Sequence, residues 1–161
     1  MSVTYGLVCI SEVLKDFDKS IAFKAMTRKR FNDLSAKEGR EFAMNELSER
    51  ALHNAKTTLQ IVKHCSSNKI NHYRVSSKLF PLVTDPTLKI NVDDLKDIES
   101  IKSTLADVGQ AAKDLDVSLS IHPDQFNVLA SEKPEVVNKT VTELNFHAWV
   151  LDTMKMPQDY T

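Results

Sequence analysis

The chain has 161 residues, of which 42% are hydrophobic and 27% are charged, and its formal net charge is -1, a composition typical of a folded domain with a buried core. It contains no apolar run of about 18 residues and no charged-then-apolar leader, so we expect a cytoplasmic protein without a membrane span. The nearly balanced charge gives no general attraction to nucleic acid, so any DNA binding must depend on a local basic patch.

The first predicted unit is an apolar strand over residues 3–10, followed by a polar stretch and a long helix. Ser35 and Glu38 have the Ser-x-x-Glu spacing of a capping box, in which each side chain satisfies a backbone amide at the other position. We therefore expect the helix to begin there and to end at the polar run 66–68. Its predicted buried stripe consists of Leu47, Ala51, Ala55, Leu59 and Val62.

The only concentrated basic segment lies between this strand and this helix. Lys24, Arg28, Lys29 and Arg30 cluster around Thr27. Composition alone favours a solvent-exposed loop, and the alternative is a loop that contacts phosphates.

The second predicted unit begins with a strand over residues 70–76, which leads into a long, proline-marked loop over residues 77–86. Long loops after strands often carry function. Asp93 and Asp94 favour the positive end of a helix dipole, so we expect them to open the next helix. The predicted core stripe of that helix consists of Leu95, Ile98, Ile101, Leu105, Val108, Ala112 and Leu115.

The third predicted unit is a strand over residues 117–121, a loop over 123–133 and a final helix. Pro134 and Glu135 suit the first turn of this helix, and Pro157 limits its length. The predicted apolar face consists of Val137, Val141, Leu144, Ala148 and Leu151.

Three histidines occupy different positions in these units. His122 directly follows the third strand, at the end where parallel α/β folds keep their chemistry, and Pro123 fixes the exit of the chain. Taken alone, His122 is more simply a satisfied polar residue at a strand end than a metal ligand. We expect structural roles for His72, near the start of a strand, and for His147, whose ring should meet solvent or a backbone group in mid-helix.

The pattern of strand, loop and helix repeated three times predicts an α/β fold with parallel strands joined by right-handed crossovers. Two architectures are compatible with this pattern, an open doubly wound sheet and the leading part of an eight-unit barrel. Gly6 is the only glycine before Gly39, and the chain has neither a dinucleotide-binding nor a phosphate-loop motif. Dinucleotide and ATP enzymes are therefore disfavoured.

Four segments in the same order resemble the N-terminal part of the ultraviolet damage endonuclease family. They are Tyr5 to Ser11 (YGLVCIS), Tyr73 to Pro81 (YRVSSKLFP), His122 to Phe126 (HPDQF) and Pro134 to Val137 (PEVV). The resemblance implies TIM-barrel-type βα units that are incomplete here, with about three strands and their helices. It also implies a metal-dependent DNA repair endonuclease that uses divalent metals, commonly manganese, to nick damaged double-stranded DNA 5' to an ultraviolet photolesion or an abasic site.

The resemblance also implies roles for individual residues. His122 corresponds to a metal ligand, and Gln125 and Phe126 correspond to a polar and an aromatic residue that probe the damaged duplex. The further candidates for DNA contact are Arg28, Lys29 and Arg30 in the basic segment, Lys78 after the second strand, and Ser11, which stands where relatives often have asparagine. For Lys78, ordinary hydrogen bonding within the loop is the alternative.

The remaining metal ligands of the family come from later strands, and one histidine cannot hold a metal cluster. We therefore expect residues 1–161 to form a single domain, the N-terminal part of such a barrel, and the activity of this chain alone stays open. Unpaired strand edges predict self-association. Two alternatives remain, a sugar isomerase-like metal-dependent barrel and a noncatalytic α/β interaction module.

Overall fold

The computed structural model describes residues 5–121, 123 and 126–157. Three short strands alternate with five α-helices in this part of the chain, and single 3-10 turns lie at Ser77–Leu79 and Val92–Asp94. The elements are β1 (Gly6–Val8), α1 (Glu12–Phe17), α2 (Arg28–Glu38), α3 (Arg40–Ser67), β2 (His72–Val75), α4 (Ile98–Asp114), β3 (Ser118–Ile121) and α5 (Pro134–Thr153).

The strands form one parallel sheet in the order β1-β2-β3, as the repeated strand-helix pattern predicts. Gly6 pairs with His72, and His72 pairs with Ser118 on its other side. The ring of His72 lies 2.8 Å from the Ser118 hydroxyl and 2.9 Å from the Ser120 hydroxyl, which agrees with a structural role. Tyr73 alternates with these polar residues and is buried on the other face of the sheet.

The buried stripes of α3 and α4 follow the predicted periodicity. All the predicted α3 positions except Leu59 are fully buried, and Leu59 is partly buried against the core. In α4 the stripe holds as far as Ala112, but Leu115 follows the last helical residue and is 37% exposed. These two helices pack on each other, and α3 also packs on β2 and α4 on β3, so the core lies between the helices and the sheet.

The predicted helix start at Ser35 is wrong. Ser35 lies inside α2, which begins at Arg28 because the Thr27 hydroxyl accepts a hydrogen bond from the Arg30 amide at 3.2 Å. Gly39, with φ of 94°, then separates α2 from α3, a backbone conformation that glycine adopts without strain. The basic segment is consequently a helix start from Arg28 onward, and not a loop.

The predicted start of α4 is also wrong. Asp93 and Asp94 lie in a separate 3-10 turn, which the Asn91 side chain caps, and Leu95 then returns to an extended conformation. The helix begins at Ile98, after Asp97, whose amide donates to the Ser48 hydroxyl of α3 at 2.8 Å. This contact with α3, and not the local pattern of charges, therefore determines where α4 begins.

The predicted apolar face of α5 is wrong in its rotation about the helix axis. Val141 is 42% exposed, and the buried positions are Thr140, His147 and Val150. An aromatic cluster sets this rotation, since Phe80 packs edge-on against two rings of α5. Those rings belong to Phe146 and Trp149, which stack on each other with centroids 5.5 Å apart.

Candidate functional site

An open cleft of about 390 Å³ lies where β2 and β3 end. The carboxyl ends of parallel strands meet at one edge of a sheet, so the loops after both strands reach this cleft, and α5 and the segment before α2 complete it. Lys78 and Phe126, both predicted to contact DNA, line the same cleft. The full lining is Ala25, Met26, Ser77, Lys78, Phe80, Pro81, Leu82, Thr84, Asp85, Pro86, Phe126, Asn127, Lys139 and Glu143.

Hydrogen bonds from Asn54, a fully buried residue of α3, hold the backbone of the loop that carries Lys78. The Asn54 amide group donates to the carbonyls of Lys78 and Leu79 at 3.1 and 3.2 Å. It also bonds both backbone groups of Lys24, accepting from its amide at 2.7 Å and donating to its carbonyl at 3.2 Å. Asn54 therefore joins the segment before α2 to the loop after β2.

Asn54 is not among the site residues that the sequence predicts. The available signal was an asparagine directly beside the apolar stripe of a long helix, between Ala51 and Ala55. Buried amides in such a position need partners, because an unsatisfied polar group in the core is costly.

Asp85 lies at the edge of the cleft next to Arg28. Its carboxylate accepts from the Thr87 hydroxyl at 2.6 Å and from the Thr87 amide at 2.9 Å, and Arg28 Nε lies 3.8 Å away. Partial burial opposes ionisation of Asp85, but the Thr87 hydrogen bonds and the Arg28 charge outweigh it and keep the pKa of this carboxyl below its usual value. Asp85 is therefore an ionised group that already has partners.

Glu143 and His147 form a second pair at the cleft wall, with His147 Nε2 3.3 Å from Glu143 Oε1. The hydrogen bond from His147 lowers the pKa of Glu143, partial burial opposes this, and a Thr84 hydrogen bond and the Lys139 charge add to the lowering. The predicted surroundings of His147 are wrong. The residue is only 8% exposed, and its ring meets a carboxylate, while Nδ1 is buried and has no hydrogen-bond partner in the described part of the chain.

The lowered pKa of Glu143 predicts an acid-dependent contribution to stability. A carboxyl whose pKa is lower in the folded chain stabilises the fold above its unfolded pKa, and that contribution disappears as the pH falls through the folded pKa. We expect Glu143→Gln to lower the free energy of unfolding at neutral pH and to flatten its decrease toward about pH 3. Urea unfolding at several pH values measures this, and parallel curves for wild type and variant would contradict it.

Three of the four cations of the basic segment, all except Lys24, occupy the first turn of α2 and differ in their contacts. Arg28 Nη1 donates to the Thr87 hydroxyl at 3.3 Å, in addition to its ion pair with Asp85. Arg30 lies 3.6 Å from Glu46. Lys29 is exposed and makes no ion pair within 4 Å among the described residues.

The other predicted site residues lie elsewhere or outside the described residues. Phe126 is 66% exposed at the cleft. Ser11 is buried, and its hydroxyl caps α1 by accepting from the Leu14 amide at 3.3 Å. His122 and Gln125 lie outside the described residues.

The described residues do not by themselves fit a metal cluster. No group of three or more histidine, cysteine, aspartate or glutamate side chains comes together in residues 5–121, 123 and 126–157. The acidic groups at the cleft, Asp85 and Glu143, bind to Thr87, Arg28 and His147.

Comparison with known proteins identifies the family. Residues 3–161 match the family model described as UV-endonuclease UvdE. The chain belongs to the UvdE family. This confirms the resemblance in the four ordered segments and favours the endonuclease hypothesis over the sugar isomerase alternative.

Relatives of the chain carry the name UV DNA damage endonuclease. The protein from Nostoc sp. is 35% identical over 153 residues, which cover 95% of this chain and 44% of the relative. The protein from Deinococcus radiodurans is 33% identical over 149 residues, covering 91% and 44%. The chain thus spans a little less than half the length of these UvdE relatives.

A solved structure, described as Crystal Structure of SacUVDE, matches with a TM-score of 0.72 and 26% identity. The match covers 96% of this chain and 47% of the other. Together with the three parallel strands, it confirms the predicted incomplete set of βα barrel units. Within the part of the chain that the structure describes, no helix is long and apolar enough to cross a membrane.

Proposed function

We propose that this chain is the damage-binding part of a DNA repair endonuclease that nicks the backbone 5' to ultraviolet photolesions or abasic sites. The observation that carries the proposal is that Lys78, after β2, and Phe126, after β3, line one cleft at the carboxyl edge of the sheet. A cation and an aromatic ring in one cleft suit a duplex whose phosphates are bound while its bases are probed. The names of the UvdE relatives support the same function.

The first turn of α2 supports phosphate binding. Arg28, Lys29 and Arg30 lie at the positive end of the helix dipole, and this turn contains no acidic residue. Each cation there costs about 0.3–1 kcal/mol, so helix stability does not explain their presence. A bound phosphate would gain from both the side-chain charges and the dipole.

Phe126 supports a role in probing the duplex. An aromatic ring that is two-thirds exposed is unfavourable in water and suits a surface that is covered when DNA binds. Stacking of one base on such a ring contributes about 1–3 kcal/mol. We assign Gln125 to contacts with base edges next to Phe126 in the sequence. Ser11 is buried and would have to become exposed in order to reach DNA.

The proposed cofactor is a divalent metal, with manganese as our candidate and His122 as one ligand. When bound, such an ion would polarise a phosphate oxygen and help to activate water. Because the described residues form no set of three ligands, the steps that they support are binding steps. A catalytic metal would need ligands in addition to these.

Lesion-dependent binding and nicking by this chain test the proposal together. We expect tighter binding to ultraviolet-irradiated duplex than to unirradiated duplex, without rapid nicking when manganese is added, since one ligand cannot hold a catalytic metal. Equal affinity for the two duplexes would reject the repair function. Efficient nicking 5' to the lesion would support the function and reject the proposed incompleteness of the metal site.

Replacing Arg28, Lys29 and Arg30 together with alanine should weaken DNA binding. We expect the affinity to fall roughly tenfold at ~0.1 M salt. We also expect the slope of log Kd against the logarithm of the salt concentration to be smaller by about one to three. Titrations at several salt concentrations measure both. The matched control replaces three exposed helical lysines away from the cleft, Lys56, Lys63 and Lys113. Equal effects in both variants would reject a specific role for the α2 turn.

Three further proposals concern the chain as a whole. We propose that residues 1–161 form one domain, which the single cluster of buried residues supports. We also propose that the chain acts in the cytoplasm with the DNA, and that copies associate through the strand edges. The latter is supported by β1 and β3, which are the outer strands of the described sheet.

A further inference from the structure

We propose that Lys139 is an additional phosphate-binding residue, which together with Lys78 holds one backbone phosphate in the cleft. The proposal rests on the proposed function and specifies one contact to its DNA substrate. Both lysines are exposed and line the cleft, although they belong to different elements. Lys78 lies in the turn after β2, and Lys139 lies in the second turn of α5.

The charges around the cleft leave these two ammonium groups available. The Asp85 carboxylate binds Thr87 and faces Arg28, and the Glu143 carboxylate faces His147. Neither lysine makes an ion pair within 4 Å with any residue of the described ranges. The carboxylates of the lining therefore have closer partners than the two lysines, and although the Lys139 charge also acts on Glu143, neither ammonium group is held in an ion pair with a described residue.

Asn127 provides an independent sign that the cleft lacks an acceptor. Asn127 lines the cleft, and its Nδ2 group is buried without a hydrogen-bond partner among the residues that the structure describes. An unsatisfied buried donor is unfavourable, and a phosphate oxygen is a strong acceptor that would satisfy it. Two cations and the residue that carries this amide donor thus belong to the lining of the same cleft, a combination that matches a phosphodiester.

The structure also fixes these groups relative to each other. The Val128 amide donates to the Thr140 hydroxyl at 3.0 Å, which ties the loop after β3 to the α5 turn that carries Lys139. The backbone of Lys78 is held by Asn54 and by the Ser76 hydroxyl. Long lysine side chains on a fixed backbone bind a phosphate with a smaller ordering cost than lysines on a loose loop.

Binding of ultraviolet-irradiated duplex by single and double variants tests the proposal. We expect Lys139→Ala and Lys78→Ala each to weaken binding by about three- to tenfold at ~0.1 M salt and to reduce the salt dependence of log Kd by about one. If both lysines hold the same phosphate, the double variant should lose less than the product of the two single losses. Lys139→Arg should retain most of the affinity because it keeps the charge.

The control is Lys63→Ala, which removes the same charge from an exposed position near the C-terminal end of α3. This variant should leave the affinity nearly unchanged. If Lys139→Ala behaves like this control, or if the two single losses multiply, the shared phosphate site is rejected. Failure of the proposed function gives a different result. If the proposed function is wrong, the wild-type chain binds irradiated and unirradiated duplexes equally. This result does not depend on whether Lys139→Ala weakens binding to both duplexes.

Discussion

Replacing Gly109 with alanine should destabilise the chain strongly. A Cβ atom at this position of α4 would lie 1.7 Å from the carbonyl oxygen of Met154 and 2.7 Å from its carbonyl carbon. Both atoms belong to the backbone at the end of α5, so no side-chain rotation relieves the clash and the two helices must separate. We expect the free energy of unfolding to fall by roughly 3 kcal/mol, even though alanine favours helices by about 1 kcal/mol over glycine.

Chemical unfolding measures this effect, with Gly6→Ala as the matched control. At Gly6 the nearest heavy atom to an added Cβ is His72 Cδ2 at 3.4 Å, which is an ordinary contact. The control should therefore stay close to wild type. Equal stability of the two alanine variants would show that α4 and α5 do not approach each other as closely as the structure has them.

Replacing Asn54 with alanine should have the second large effect. The substitution removes the partners of the Lys24 amide and of the Lys78 and Leu79 carbonyls in a fully buried position. Unsatisfied buried groups cost about 1–3 kcal/mol each, and partial relaxation leaves an expected loss of about 3 kcal/mol. Because the same bonds hold the loop of Lys78, affinity for irradiated duplex should fall as well.

Thr58→Val is the control for Asn54→Ala. Thr58 is equally buried, one turn further along α3, but its hydroxyl donates only to the Asn54 carbonyl within the same helix. We expect a loss of about 1 kcal/mol and unchanged DNA affinity for this variant. If Asn54→Ala unfolds at the same denaturant concentration as Thr58→Val, the bridge between the two loops contributes little.

Periodicity predicted the elements in which apolar residues form one regular stripe that is buried. The stripes of α3 and α4 have this property, and the spacing of the three strands gave the parallel sheet. In α5, apolar residues lie on several faces, so the pattern did not determine which face meets the sheet. Contacts with Phe80 decide it, and these depend on a residue far away in sequence. The helix start predicted at Ser35 was wrong because Thr27 is an earlier capping residue, and the start predicted at Asp93 was wrong because the contact of Asp97 with Ser48 depends on the tertiary fold.

The candidate site was predictable only where strand ends mark it. Lys78 and Phe126 lie in the loops that follow β2 and β3, and parallel strands bring such loops together. Asn54 and Lys139 were not identified, because each gains its role from partners on other elements. Asn54, for example, bonds a carbonyl 24 residues away. The pairing of Glu143 with His147 has helical spacing, but their burial against Thr84 depends on the tertiary fold.

The most direct test of the central claim is the ratio of affinities for irradiated and unirradiated duplex, measured for wild type and for Phe126→Ala. Phe17→Ala, which removes a ring that is 91% exposed on α1, serves as the control. We predict that wild type and Phe17→Ala prefer irradiated duplex by about tenfold or more, and that Phe126→Ala loses most of this preference, as the removal of a stacking interaction of ~1–3 kcal/mol requires. An unchanged preference in Phe126→Ala would contradict damage recognition at this cleft.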